Sequence, residues 1–364
     1  MTSIDDLPTP ALLLDLDVLE RNLDRMSARA AALGVALRPH VKTHKSIEVA
    51  QLQRSLSTVG ITVSTLYEAR VFADHGFDDL TWAFPVILTR LDEIRTLAGR
   101  VTLRLVVDST EAVDALEGIG TPLHVWLKVD CGYHRAGVDP ESGRAVELAR
   151  RLAGSPGLIF DGLLTHSGHA YHGRDREEIA AIAEQERAVM TGLAGRLREQ
   201  GIDVPAVSVG STPAMSVVAS LDGVTEARPG NYCFYDFMQV ALGSCGVRDC
   251  AVTVLASVVS CRPGDGRAVV DAGALALSKD LGPDHPAQPT LGEVFADYPA
   301  GALDAEARLL SLSQEHGILS VPRPVGSRVR VLPNHSCLTA AQFDEYAVVR
   351  GDEVVDRWKI WRGR

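Results

Sequence analysis

No GxGxxG follows the first strand-like run of this chain, no two of its six cysteines are spaced CxxC, and no apolar stretch reaches bilayer-spanning length. Positive charge is also scarce: 36 Lys and Arg stand against 47 Asp and Glu, a net charge of -11. The missing glycine fingerprint weighs against a doubly wound dinucleotide-binding sheet. The missing long apolar run excludes a helical membrane span. The acidic balance argues against a nucleic-acid partner, because phosphate contacts need clustered cations. A small anionic ligand needs only a local positive pocket and stays open. The start, "MTSIDDLPTPALLLDLD", has no basic n-region and only a short apolar run, so no signal peptide is expected. Cys131, Cys233, Cys245, Cys250, Cys261 and Cys337 therefore read as reduced thiols of a cytoplasmic protein.

What is present is regular. With 364 residues, 46% hydrophobic and 23% charged, the chain can fill one large core or two domains. From residue 17 to about 236, apolar strand-like runs alternate with amphipathic helical ones. The strand runs are "VALRPHV", "GITVS", "LTWAFPV", "VTLRLVVD", "LHVWLKVD", "LIFDGLLTHS", "AVSVGS" and "VTEARPG". Eight βα units predict an α/β fold in which a parallel sheet closes as a (β/α)8 TIM barrel. After about residue 245 come short runs split by Gly, Pro and Asp, such as "GRAVVDAGALAL" and "SRVRVLPNHSCLTA". "RGDE" between two valine-rich runs reads as a hairpin. The expected division is a barrel over 13–244 and a mostly β domain from 1–12 with 245–364. No low-complexity linker separates them, so the two parts are expected to pack together.

Catalytic groups of a parallel barrel come from the C-terminal ends of its strands. "LRPHVKTHK" puts Lys42 at the end of the first run, with Arg38, His44 and Lys45 around it. Alternation along an extended strand places Lys42 on one side with His40 and Arg38, opposite Val41. Ser64 ends the second strand, Asp130 and Arg135 follow the fifth, and His166, His169 and Tyr171 follow the sixth. "GSTP" after the seventh (Gly210, Ser211, Thr212) and "PGNY" after the eighth (Gly230, Asn231, Tyr232) expose backbone N–H groups and hydroxyls where barrels commonly bind phosphate. Any one of these is a plain turn or a solvated side chain; together they surround one mouth. A phosphate loop plus a strand-end lysine suggests pyridoxal 5'-phosphate, since a deprotonated amine condenses with its aldehyde and neighbouring cations favour that state. Lys45 is the rival amine, past the turn. In "PNHSC", His335 and Cys337 would face the same way if extended, and imidazole plus thiolate suits zinc or another divalent metal. Two ligands leave open positions for a substrate hydroxyl.

These stretches, with "TPALLLDLDVLERNL", "VSTLYEARVFADHGFDD", "WLKVDCGYHRAGV", "RPGNYCFYD" and "QEHG", run in an order that resembles the D-serine dehydratase-like and D-threonine aldolase family of fold-type III pyridoxal phosphate enzymes. The resemblance covers nearly the whole chain. It implies an alanine-racemase-like barrel with a β domain, a head-to-tail homodimer, and Lys42 as the Schiff-base lysine. It makes His335 and Cys337 the zinc ligands and "GSTP" and "PGNY" the phosphate cradle. Arg135 would lie near the cofactor's phenolic oxygen and Tyr171 near its ring nitrogen. In such a dimer the metal pair could serve the site of the partner's Lys42. HxC in place of HxD, and "VSTLYEA", lean toward dehydration of a β-hydroxy D-amino acid to a 2-oxo acid and ammonia. Retro-aldol cleavage to glycine and an aldehyde is the alternative. A racemase would leave the HxC pair without a task, and a non-catalytic cofactor carrier would need neither that pair nor the β domain.

Overall fold

Each of the eight apolar runs contributes a parallel strand in the computed structural model, which describes residues 2–282 and 290–363. The strands are Ala36–Leu37, Ile61–Val63, Asp79–Pro85, Thr102–Val107, Leu123–Lys128, Leu158–Leu164, Ala206–Val209 and Glu226–Ala227. Each pairs with its neighbours in sequence, the last pairs with the first, and a parallel bridge from His40 to Thr62 joins the first to the second. The ring is therefore closed. In "LHVWLK" even the polar residues are at least half-buried, because a barrel strand is covered on both faces. Val106, Trp126 and Leu164 form a buried cluster in its core. The crossover helices begin where side chains accept the first free amides: Thr65 from Glu68, Ser109 from Ala112 and Asp175 from Glu178.

A polar girdle crosses the N-terminal part of the barrel strands. Arg38 pairs with Glu226 at 2.9 Å and with Asp79 at 2.5 Å. Arg104 pairs with Asp79 at 3.0 Å and Asp161 at 2.8 Å, and His124 Nδ1 meets Asp161 at 2.8 Å. Charges this deep persist because each has partners.

The chain divides into two compact units: Met26–Lys42 with Ala50–Gly230, and the segment through Arg25 with Thr43–Val49 and Asn231–Arg362. The second holds a ten-stranded, mostly antiparallel sheet. Its organising strand, Val252–Arg262, pairs with Ala11–Asp15, with Arg267–Val270 and with Arg328–Leu332, so part of the sheet closes on itself. Ala11–Asp15 also runs parallel to Glu345–Arg350. The boundary expected between residues 12 and 13 thus falls inside a strand of this sheet. Leu7, Leu13, Leu255, Ala347 and Val349 form its core cluster. The expected hairpin is present, Arg350 facing Glu353 across a turn in which Gly351 has φ +59°. Two stretches read as strand are helical instead, Ala274–Leu277 and Ser336–Ala340. All six cysteines are free thiols. Among the described residues no helix is long and apolar enough to cross a membrane.

Candidate active site

The first barrel strand stops early. Val41 still donates its N–H to Thr62 O at 2.9 Å, but Lys42 falls in the turn that follows, its side chain exposed and its amide 3.4 Å from His40 Nδ1. The expectation that Arg38 crowds this lysine fails. Its guanidinium is claimed by Glu226 and Asp79, the first residues of their strands, and so lies at the strands' N-terminal ends. His44 is turned into its own surroundings: Nδ1 accepts from Ser46 N at 3.1 Å, and its carbonyl accepts from the Tyr346 hydroxyl at 2.7 Å. Lys45 has φ +50°, and its carbonyl accepts from Trp361 N at 2.8 Å.

The loop after the sixth strand brings an imidazole to Lys42. His166 Nδ1 lies 3.1 Å from Gly210 O. A carbonyl only accepts, so Nδ1 carries the hydrogen and Nε2 keeps its lone pair. Burial, together with the charges of Lys42, Lys128 and Arg135, holds its pKa well below the usual histidine range, so this ring is neutral. Arg135 lies over the Tyr133 ring at 4.9 Å, and that ring packs edge-on against His166 at 6.3 Å and parallel to His169 at 6.1 Å. Gly168 is required here, because a Cβ would sit 2.2 Å from Tyr133 Cε1. Asp130 shapes the preceding loop by accepting from Gly132 N and His134 N at 2.9 and 3.0 Å. Tyr171 is half-buried in the 3-10 turn Gly168–His172.

Two groups beneath these loops escaped the sequence reading. Lys128 ends the fifth strand; burial, then the positive charge of Arg228, pulls its pKa from 10.5 to about 7. Arg228 donates to Ser208 Oγ and Thr165 O. The available signal was a lysine ending an otherwise apolar strand. Glu186, in helix Arg176–Glu199, accepts from Ser167 N and Gly210 N. No spacing rule points to it.

Gly210 adopts φ +117°, where a Cβ would stand 3.1 Å from Arg228 N. Ser211 and Thr212 are buried, and Ser211 Oγ accepts from Ala214 N at 3.3 Å. A boundary between the two compact units falls between Gly230 and Asn231. The side chain of Asn231 donates to Asp236 Oδ2 at 2.7 Å and Ser336 Oγ at 3.0 Å, and lies 3.7 Å from Cys337 Sγ. Tyr232 is fully buried.

The His335–Cys337 segment is not extended. His335 precedes a short helix, Ser336–Ala340, whose second residue is Cys337. The two side chains meet nonetheless. Burial opposes both charges, yet the thiolate and Asp280 raise the imidazole's pKa to about 11, and the imidazolium draws the thiol down to about 7. Asp280 Oδ2 takes His335 Nδ1 at 2.9 Å, which leaves Nε2 as the ring nitrogen available to a metal. Cys337 Sγ lies 3.3 Å from Thr43 Oγ1. Among the described residues no three His, Cys, Asp or Glu side chains cluster as metal ligands. The pair nevertheless fits a divalent metal chemically: nitrogen and sulfur donors, with a carboxylate orienting the histidine from behind. The lysine, guanidinium, neutral imidazole, hydroxyls and glycine-bound loop likewise fit an aldehyde-bearing aromatic phosphate.

Comparison with known proteins shows the family. The model of the alanine racemase N-terminal domain matches residues 14–236, and that of a serine dehydratase domain matches 251–349. D-threo-3-hydroxyaspartate dehydratase of Delftia sp. strain HT23 is 38% identical over 380 residues, covering 98% of both chains. Its solved structure superposes with a TM-score of 0.95 over the full length of each. Histidine-to-alanine and cysteine-to-alanine variants of that enzyme, two positions apart, have been solved, the latter metal-free. D-serine dehydratase of Dictyostelium discoideum is 35% identical over 98% of this chain and 97% of its own. D-threonine aldolase of an Arthrobacter species is 31% identical over 97% and 92%. At 14% identity and a TM-score of 0.71, an alanine racemase of Clostridium difficile shares the fold.

Proposed function

The chain belongs to the family that joins an alanine racemase N-terminal domain to a serine dehydratase domain, and from that premise we propose that it is a pyridoxal phosphate- and zinc-dependent lyase. The reaction we propose removes water from a β-hydroxy D-amino acid and yields a 2-oxo acid and ammonia. The observation that carries this reading is the His335–Cys337 pair with Asp280 on His335 Nδ1. A racemase or a carrier gives such a pair no work.

Lys42, Arg135, Ser211 and Thr212 are the residues we assign to holding the cofactor. Bound there, pyridoxal phosphate supplies a sink for the electron pair left at Cα. His335 and Cys337 would hold the metal, which supplies Lewis acidity to the β-oxygen. Lys42 Nζ, unprotonated, would take the proton from Cα. His166 stays neutral and offers Nε2 as an acceptor, fixed in that tautomer by Gly210 O. Asp280 orients His335 and prevents Nδ1 from competing as the ligand atom. Six free thiols and the acidic balance support a cytoplasmic enzyme, and the family resemblance supports a homodimer.

3-Hydroxy-D-aspartate, D-serine and D-threonine are the candidate substrates, taken from the names of the relatives. The match to D-threonine aldolase supports a second reading, retro-aldol cleavage, in which the same pair acidifies the β-hydroxyl. Incubation with each D-amino acid separates the two. Oxaloacetate, pyruvate or 2-oxobutyrate with ammonia is the expected outcome. Glycine with an aldehyde would instead establish the aldolase.

A further inference from the structure

Glu186 has no part in the chemistry above. It is 2% exposed, and a carboxylate so placed is costly unless its oxygens are engaged. Its Oε1 accepts from two backbone amides on different loops, Ser167 N at 2.9 Å and Gly210 N at 3.2 Å. Ser167 follows the sixth barrel strand and Gly210 the seventh. Gly210 is therefore gripped on both sides of its Cα. Glu186 holds its N–H, and His166 Nδ1 holds its carbonyl at 3.1 Å. The grip fixes a backbone that no other residue type adopts readily, φ +117°, with Arg228 N close behind.

We propose that Glu186 is a positioning residue for the loop Gly210–Thr212. It sets the backbone of Gly210 so that the Ser211 and Thr212 donors that follow converge on a phosphoryl group. This rests on the reading that the loop receives the cofactor's phosphate. A carboxylate behind an anion site opposes the anion by charge, so its contribution is geometric. It also ties the phosphate loop to His166, because the two grips hold the two peptide groups that flank the Gly210 Cα.

Two variants and two ligands test this by absorbance titration of the full-length protein freed of cofactor. Glu186→Gln keeps an acceptor oxygen and drops the charge; Glu186→Leu drops both. Glu186→Gln should bind pyridoxal phosphate as the parent does, within about threefold. Glu186→Leu should lose on the order of tenfold, the value of one unmade buried hydrogen bond. Pyridoxal, which lacks the phosphate, should be held equally by all three proteins. Equal loss of both ligands in Glu186→Leu would mean a general structural role and overturn the proposal, as would unchanged affinity. A tenfold selective loss in Glu186→Gln would overturn the geometric account even if the leucine variant does not fold. Failure of the parent protein to bind pyridoxal phosphate is a separate result and sinks the cofactor reading itself.

Discussion

The sulfur of Cys337 lies 3.3 Å from the hydroxyl of Thr43, the residue that follows Lys42 in the chain. Both belong to one compact unit, and a single peptide bond separates Thr43 from Lys42. If Lys42 holds the cofactor and His335 with Cys337 the metal, we expect both to come from the same chain. Mixing inactive Lys42→Ala with inactive His335→Ala should restore no activity. A recovered fraction in confirmed mixed dimers would show that sites are shared between chains.

Lys42, not Lys45, should carry the cofactor. Lys45 is held with a positive φ and a carbonyl engaged by Trp361. Borohydride reduction of the loaded protein followed by peptide mapping should label Lys42 alone. Lys42→Ala should abolish the label, and Lys45→Ala should keep it.

Asp280 should matter as much as a ligand does. Removing a carboxylate that orients a metal-bound histidine costs about 10- to 100-fold in metal affinity. Asp280→Ala should show that loss in competition with a chromophoric chelator, with cofactor binding unchanged. Metal affinity equal to the parent's would remove Asp280 from the site.

Lys128 makes stability depend on pH in a stated direction. Its pKa falls from 10.5 in the unfolded chain to about 7 when buried. Between those values the unfolded state binds more protons, so this residue makes stability rise with pH across the interval. Below pH 7 the full burial penalty is felt. Lys128→Met should therefore stabilise most below pH 7, by a few kcal/mol, with the gain shrinking toward pH 10. Urea unfolding of both proteins at pH 6, 8 and 9.5 measures this. A gain independent of pH would refute the assignment.

The barrel was legible because apolar strand runs alternate regularly with amphipathic helical ones, and covering on both faces leaves that mark in composition. The places of Lys42 and of the two glycine loops just after barrel strands were legible for the same reason. Arg38 was misread because a strand's period cannot say which carboxylates wait at its far end; Glu226 lies 188 residues away. The helix at Cys337 hid behind apolar residues that suit either state, in a run of five. Asp280, 55 residues before His335, and Glu186, in the middle of a long helix, act through contacts that only the folded chain creates.

A ladder of only two residue pairs joins the last barrel strand to the first, Ala36–Leu37 against Glu226–Ala227. Two residues of pairing make a weak hem, yet Arg38 reaches Glu226 across it with a side chain only 5% exposed. The hem is pinned from inside. Salt that screens surface pairs should leave it shut, whereas trimming the pin strands a buried carboxylate. Amide exchange at Ala36 and Arg38 would then shift from the slow, whole-barrel regime toward the fast, local one. The lysine six residues along would ride on a ring that breathes.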